Sequence, residues 1–191
     1  PDFASTKPTN PQLWQIQIPF RVPFVWTQGL NRNLLIEVKV FGNSNNNSIF
    51  TYPLDACSGA SATTSRMYST AGPTSPTGTK GTNYGIVMSF LDKIQTTAQY
   101  VTFGAGCPGT GGTPGIILPA SMRTAMGNSN NIFGVAYGTQ RYQQLFNGAE
   151  VGSARPLTGH SLRFGNSSYT GGAQTLEIKM SATTAAPATM S

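Results

Sequence analysis

Charge is scarce in this sequence: only 9% of its 191 residues are Asp, Glu, Lys or Arg, against about 25% in an average soluble chain. Low charge is a mark of membrane proteins, but no apolar run approaches the ~20 residues that a bilayer-spanning helix needs. Mean hydropathy is −0.16, so no membrane insertion is expected. Histidine occurs once, as His160, which leaves a hydrolytic triad without an evident base. In its turn-like Thr158-Gly-His-Ser161 context, His160 reads as a surface or hydrogen-bonding residue. The six carboxylates, Asp2, Glu37, Asp55, Asp92, Glu150 and Glu177, are dispersed, so neither a paired-carboxylate site nor a calcium loop is written into the sequence. Cysteine occurs twice, without the spacing of a zinc site. The stretch from Gly106 to Gly112 lacks the Lys-Ser/Thr ending of a phosphate-binding loop. No catalytic, cofactor-binding or metal-binding residue is assigned, and the chain is not expected to be an enzyme.

A clustered positive patch is missing too. The net charge is +6 and the pI about 9.6, but the 12 basic residues stand singly from Lys7 to Lys179. Without a basic cluster interleaved with aromatics, nucleic acid is not an expected partner. What fills the sequence instead is Asn, Gln, Ser and Thr, with 22 Gly and 13 Pro. An uncharged polar surface suits secreted proteins, adhesins, capsids and appendages, where close subunit packing makes charges expensive to desolvate. The expected localisation is extracellular or at the cell surface. In that compartment Cys57 and Cys107 are candidates for one disulfide, the alternative being two unpaired thiols. Asn46 and Asn166 head N-glycosylation tripeptides that matter only in a host that glycosylates. The chain opens on Pro1, without a signal peptide, and reads as a processed product or a segment of something longer.

Sustained helical periodicity is also lacking. Short alternating runs separated by turn residues predict β structure. Trp14, Ile16 and Ile18 share one face of a strand, and Ile36, Val38 and Val40 share one face of another. Tyr84 to Leu91 reads as one buried strand, with Gln99 to Phe103 as its neighbour. Arg141 to Phe146, Ser161 to Phe164 and Thr175 to Met180 follow. Helical turns are alternatives near Pro119 to Met126 and Gln140 to Phe146. Gly42 to Ser48, Ala71 to Gly81 and Gly104 to Gly115 read as loops. Eight or more short strands with such connections predict one all-β domain over residues 1–191, a two-sheet β-sandwich or jelly roll. Its predicted core takes Trp14, Ile16, Ile18, Ile36, Val38, Val40, Ile86, Met88, Phe90, Leu176 and Ile178.

Taken in rotated order, with Ser191 placed before Pro1, several phrases acquire a common pattern. They are Gly127-Asn-Ser-Asn-Asn131, Arg141-Tyr-Gln-Gln144, the run from Pro156 to Phe164 ending in Leu-Arg-Phe, and the strand from Leu176 to Thr184. Phe3-Ala4, Ile18-Pro-Phe20, Pro23-Phe24, Asn33 to Val38, Ser65-Arg-Met-Tyr68 and Tyr84 to Phe90 continue it, and the stretch from Gly106 to Pro114 closes it. In this order the chain resembles a family of secreted or surface β-domains of planctomycetes and related bacteria, some with C-terminal sorting signals of the PEP-CTERM type. The resemblance covers most of the chain and departs from the family at the breakpoint. It implies a permuted domain, a unit of a tandem array, or a subunit completed by a neighbour's segment, with Gly104 to Gly115 as connector. The function of that family is largely uncharacterised; low charge, an uncharged polar surface and ends that continue one another predict a non-enzymatic secreted subunit of an extracellular filament or surface layer, a homopolymer assembling through its terminal strands. The alternatives are a viral capsid or spike jelly roll, and a carbohydrate-binding or adhesive module for which glycans would be partners. A sugar-stacking platform would draw on Trp14, Trp26 and the tyrosines, but the alternation assigns Trp14 to the core.

Overall fold

The structure is a computed structural model that describes residues 14, 16–27, 32–43, 54–59, 62–92, 115–130, 139–165 and 174–186. Among them, twelve strands follow in chain order. They are β1 Ile16–Trp26, β2 Asn33–Asn43, β3 Leu54–Ser58, β4 Thr64–Ser69, β5 Thr79–Thr82, β6 Tyr84–Ile86, β7 Met88–Leu91, β8 Ile116–Leu118, β9 Asn128–Asn130, β10 Gln140–Phe146, β11 Arg155–Leu162 and β12 Gln174–Thr183. A 3-10 turn spans Ala120–Met122, and a single helical turn, α1, spans Gly148–Val151. No helix among the described residues is long and apolar enough to cross a membrane.

All strand pairing is antiparallel. A five-stranded sheet runs β12-β2-β10-β4-β5, a four-stranded sheet runs β1-β11-β7-β8, and β6-β3-β9 form a small third sheet. Alternation along β2 explains the packing. Leu34, Ile36, Val38 and Val40 are fully buried, while Glu37 and Lys39 point to the other face, as the two-residue period of a strand requires. The facing sheet contributes Ile16, Leu162, Met88, Leu118 and Phe90 to the same core. Phe90 of one sheet meets Phe146 of the other edge-on at 5.6 Å. Burying each such side chain is worth about 1.5–3 kcal/mol. The architecture is an all-β sandwich.

The structure differs from several of these readings. Tyr84 to Leu91 is not one strand: the chain leaves β6, changes partners at Val87 and enters β7. Val87 donates its N–H to the Asp55 carbonyl at 2.9 Å, a last bond to β3, and from Met88 the chain pairs with β11 and β8 instead. Arg141 to Phe146 is the strand that the sequence predicts and not the alternative helical turn, with β2 and β4 as its two neighbours. The stretch from Ala71 to Gly81 is a loop only as far as Gly78, and Thr79 to Gly81 belong to β5. Trp14 is buried but not with Ile16: it lies in a second cluster with Cys57, Ala62, Val87, Ile117 and Met122. The other predicted core positions are in or against the main cluster, with Ile18, Leu176 and Ile178 half-buried at its margin. Gln99 to Phe103 lie outside the described residues.

Each sheet has two edges. At the β1 edge, Pro19 and Phe24 are five residues apart, but their partners Gly159 and Leu157 are two apart, so β1 bulges out with Val22 exposed. Pro19 and Pro23 also have no N–H to offer a new neighbour. β5 and β8 are edges of four and three residues. β12 has ten residues, no proline, and a register shift only between Thr175 and Leu176.

Candidate functional site

Asp55, Asp92, Glu150 and His160 are the groups an enzyme would gather into one cleft, and each has a separate setting. Asp55 and Arg163 form a fully buried ion pair, with Arg163 Nε donating to Asp55 Oδ2 at 2.7 Å. Arg163 Nη2 donates to the carbonyls of Met122 at 2.9 Å and Ala125 at 2.6 Å, and its guanidinium lies 5.1 Å from the Trp14 ring centre. Asp55 Oδ1 accepts the Gly127 N–H at 2.7 Å. A Cβ on Gly127 would collide with the Ala56 carbonyl oxygen, so only glycine brings that amide so close. Burial pushes the Asp55 carboxyl above its usual range, against the opposing pull of Arg163 and the Gly127 amide. The arrangement clamps the end of β11, β3 and the 3-10 turn together.

Glu150 accepts from the Thr63 hydroxyl at 2.6 Å and from the Ala120 N–H at 3.2 Å. Asp92 accepts from Arg155 Nη1 at 3.4 Å. No contact among the described residues joins any two of these carboxylates, and none of them touches His160. His160 is not at the surface. It lies inside β11, paired with Phe90 and Ile18, with its ring 5.7 Å from Phe20 and 6.4 Å from Phe90. Its Nδ1 has no hydrogen-bond partner. Desolvation alone lowers its pKa from 6.5 to about 4. Trp26 is also core, with its indole N–H donating to the Gly152 carbonyl at 3.1 Å.

Cys57 is a buried free thiol donating to the Gly85 carbonyl at 3.4 Å, and burial pushes its pKa up to about 12. Cys107, its expected partner, and Asn46 and Asn166 lie outside the described residues. Among the described residues no group of three or more His, Cys, Asp or Glu could hold a metal ion.

Two features carry side-chain arrangements that composition did not reveal. In the interior, the Gln144 amide docks on β6 like a missing strand: Nε2 donates to the Ile86 carbonyl and Oε1 accepts the Ile86 N–H, both at 2.8 Å. Tyr142 donates to the same Oε1 at 2.6 Å. Beside them Arg66 lies over the Tyr84 ring at 4.0 Å and the Tyr68 ring at 5.0 Å, without an acid partner among the described residues.

On the outer face of the five-stranded sheet, charges of both signs interlock. Glu37 accepts from Arg141 and Gln143, both at 2.7 Å, and lies 3.4 Å from Lys39. Lys39 is 3.6 Å from Glu177, which is 2.8 Å from Lys179. Burial works against the Glu37 charge, but the Arg141 and Gln143 hydrogen bonds with Lys39 outweigh it and hold its pKa below the usual value. This polar ladder ends at β12, whose far edge has no neighbour among the described residues. Leu176, Ile178 and Met180 on the other face of β12 are half-buried against the core. Among the described residues the edge is therefore a row of open backbone groups with an apolar margin on one side and a charged one on the other.

The described ends of the chain lie apart. Trp14 is at the Leu162 end of β11, against Arg163. The Ala185 carbonyl accepts from Asn33, which in turn accepts from the Gly148 N–H beside Trp26. Ile16 pairs with Leu162 and Trp26 with Arg155, so about 23 Å of strand, at roughly 3.3 Å per residue, separates the two ends.

No known protein family, curated protein or solved structure matches the chain.

Proposed function

We propose that this protein is a non-enzymatic, secreted structural subunit that assembles with copies of itself through its terminal strands into an extracellular filament or surface layer. The observation that carries this reading is the contrast among sheet edges. Among the described residues β1 is bulged and carries two prolines, and β5, β6, β8 and β9 have only three or four residues, whereas β12 offers ten, with no proline and a register shift only between Thr175 and Leu176. Long unpaired edges invite strand addition, and natural monomers blunt them. Main-chain hydrogen bonds then supply affinity and the flanking side chains supply selectivity. The scarcity of charge elsewhere favours the same conclusion, since close packing of copies desolvates few ions. The rotated reading of the chain, as a tandem unit or a subunit completed by a neighbour, belongs to this proposal.

Sedimentation velocity across a hundredfold concentration range, with negative-stain microscopy of native material, tests it. Self-association and open fibres or sheets are expected. A monomer at every concentration would overturn the reading, and closed shells would favour a capsid. A second reading, a glycan-binding module, draws on the half-buried Tyr68–Arg66–Tyr84 stack. Aromatic faces and a guanidinium suit an acidic sugar ring. Titration with uronic-acid oligosaccharides, monitored by calorimetry on wild type and Arg66→Gln, tests that reading. No heat in wild type would exclude it.

A further inference from the structure

Assembly through terminal strands requires an occupant for the β12 edge, and the side chains beside that edge select one. We propose that a second copy of β12 takes the place, antiparallel, in the register that sets Ile178 opposite Ile178. This inference rests on the assembly reading above and goes further by naming the partner strand and its alignment.

Side chains opposite each other across an antiparallel pair must lie on the same face, so alternative registers differ in which of Glu177 and Lys179 meet. Centring the pair on Glu177 sets two carboxylates directly opposite. Centring it on Lys179 sets two ammonium groups opposite. Both are destabilising. Centring it on Ile178 sets Glu177 of each copy against Lys179 of the other, twice. The same register puts Leu176 against Met180, twice, and Ile178 against itself, covering apolar side chains that a lone subunit leaves half-buried.

The neighbouring strand extends the match. Glu177 pairs across the sheet with Lys39, and Lys179 with Glu37. Across the junction, the row Lys39, Glu177 would continue as Lys179, Glu37 of the second copy. Charge therefore alternates without a break from one sheet to the other. A lysine on an edge ordinarily blocks strand addition. Here it blocks every strand that does not offer an acid at the matching position, and β12 itself does. Glu177 and Lys179 are 39% and 60% exposed, so both can turn toward a partner. The contact is two-fold and closes on itself. It makes a dimer, and a fibre or layer grows from that dimer through a second contact.

Charge reversal tests the register. Glu177→Lys alone sets two lysine pairs opposite each other, and Lys179→Glu alone sets two acidic pairs. Each is expected to weaken self-association about tenfold or more, from two cross-strand pairs changed from opposite to like charge. An equimolar mixture of the two single variants should regain wild-type affinity as a heterodimer. The double variant Glu177→Lys/Lys179→Glu restores the pairs between copies but sets like charges against Lys39 and Glu37 of its own sheet, so it should recover only part of the loss as a homodimer. Sedimentation equilibrium reads all four, with circular dichroism and urea unfolding to establish that each variant is folded. Single variants that associate like wild type would place the contact elsewhere and overturn the register while leaving assembly intact. Single variants whose equimolar mixture associates no better than either alone would also overturn it, because the charges would then not face each other. A wild type that stays monomeric throughout would overturn both this inference and the assembly reading.

Discussion

Replacing His160 with leucine should remove a defined acid sensitivity from the fold. The neutral imidazole is buried between Phe20 and Phe90 with no partner at Nδ1. Its pKa is about 4, against 6.5 without the fold. Because the folded pKa is the lower one, the unfolded chain binds the proton first as pH falls. Stability is therefore greatest above pH 6.5 and declines down to about pH 4. Integrating between those values gives a loss of about 2 kcal/mol from pH 7.5 to pH 5, and about 3 kcal/mol in all. That window lies above the one for Glu37, whose lowered pKa gives stability that is present above its ordinary value of 4.5 and is lost only as pH falls below it. Urea unfolding followed by fluorescence of the buried Trp14 and Trp26 provides the assay. With a slope of about 2 kcal/mol per molar urea, the wild-type midpoint should fall by about 1 M between pH 7.5 and pH 5. His160→Leu, whatever its stability at pH 7.5, should lose about 2 kcal/mol less over the same interval. A variant with the same pH dependence as wild type, or an NMR titration of His160 near its ordinary value, would refute the reasoning.

Arg163→Ala leaves the Asp55 carboxylate buried without its partner and should cost about 3–5 kcal/mol in equilibrium unfolding. Arg163→Met together with Asp55→Leu should recover part of that loss, since no uncompensated charge remains. Gln144→Ala frees both the N–H and the carbonyl of Ile86 inside the core, and a destabilisation of about 2–4 kcal/mol is expected from two unsatisfied groups. The Cys57 thiol, with its pKa near 12, should resist alkylation at pH 8 in the native protein and react promptly once urea unfolds it without reductant. Peptide mapping that finds Cys57 labelled as fast in native protein as in unfolded would contradict its burial.

The strands that alternation reveals in the sequence are those whose two faces meet different environments. From Ile36 to Val40 in β2 and from Leu176 to Met180 in β12, apolar residues take every second position with charges between them, so their type and face are legible directly. β3 is not, because its Asp55 is buried against an arginine 108 positions away. β4 hides in the same way, with Thr64 donating to the Leu145 carbonyl and Arg66 held over tyrosine rings. His160 was misleading because Gly159 and Ser161 give it the look of a turn. Gly159 is there for space, since a Cβ would meet the Ile18 carbonyl oxygen at 2.8 Å. The carboxylates were legible as dispersed, but not the roles they take, which depend on partners from other strands. What alternation does not encode is position within a sheet. β2 is central and β12 is an edge, yet their patterns are alike, and the open edge emerges only from the topology.

Amide hydrogen exchange along residues 174–183 tests the central claim most directly. It should be measured at concentrations where the protein is assembled and where it is dispersed. Assembly through β12 predicts that alternate amides of Leu176 to Ala182, those pointing away from β2, exchange fast in the dispersed protein. Assembly should slow them by tenfold or more, with no comparable change along β1, β5 or β8. Equal exchange in both states, or protection confined to another edge, would contradict it.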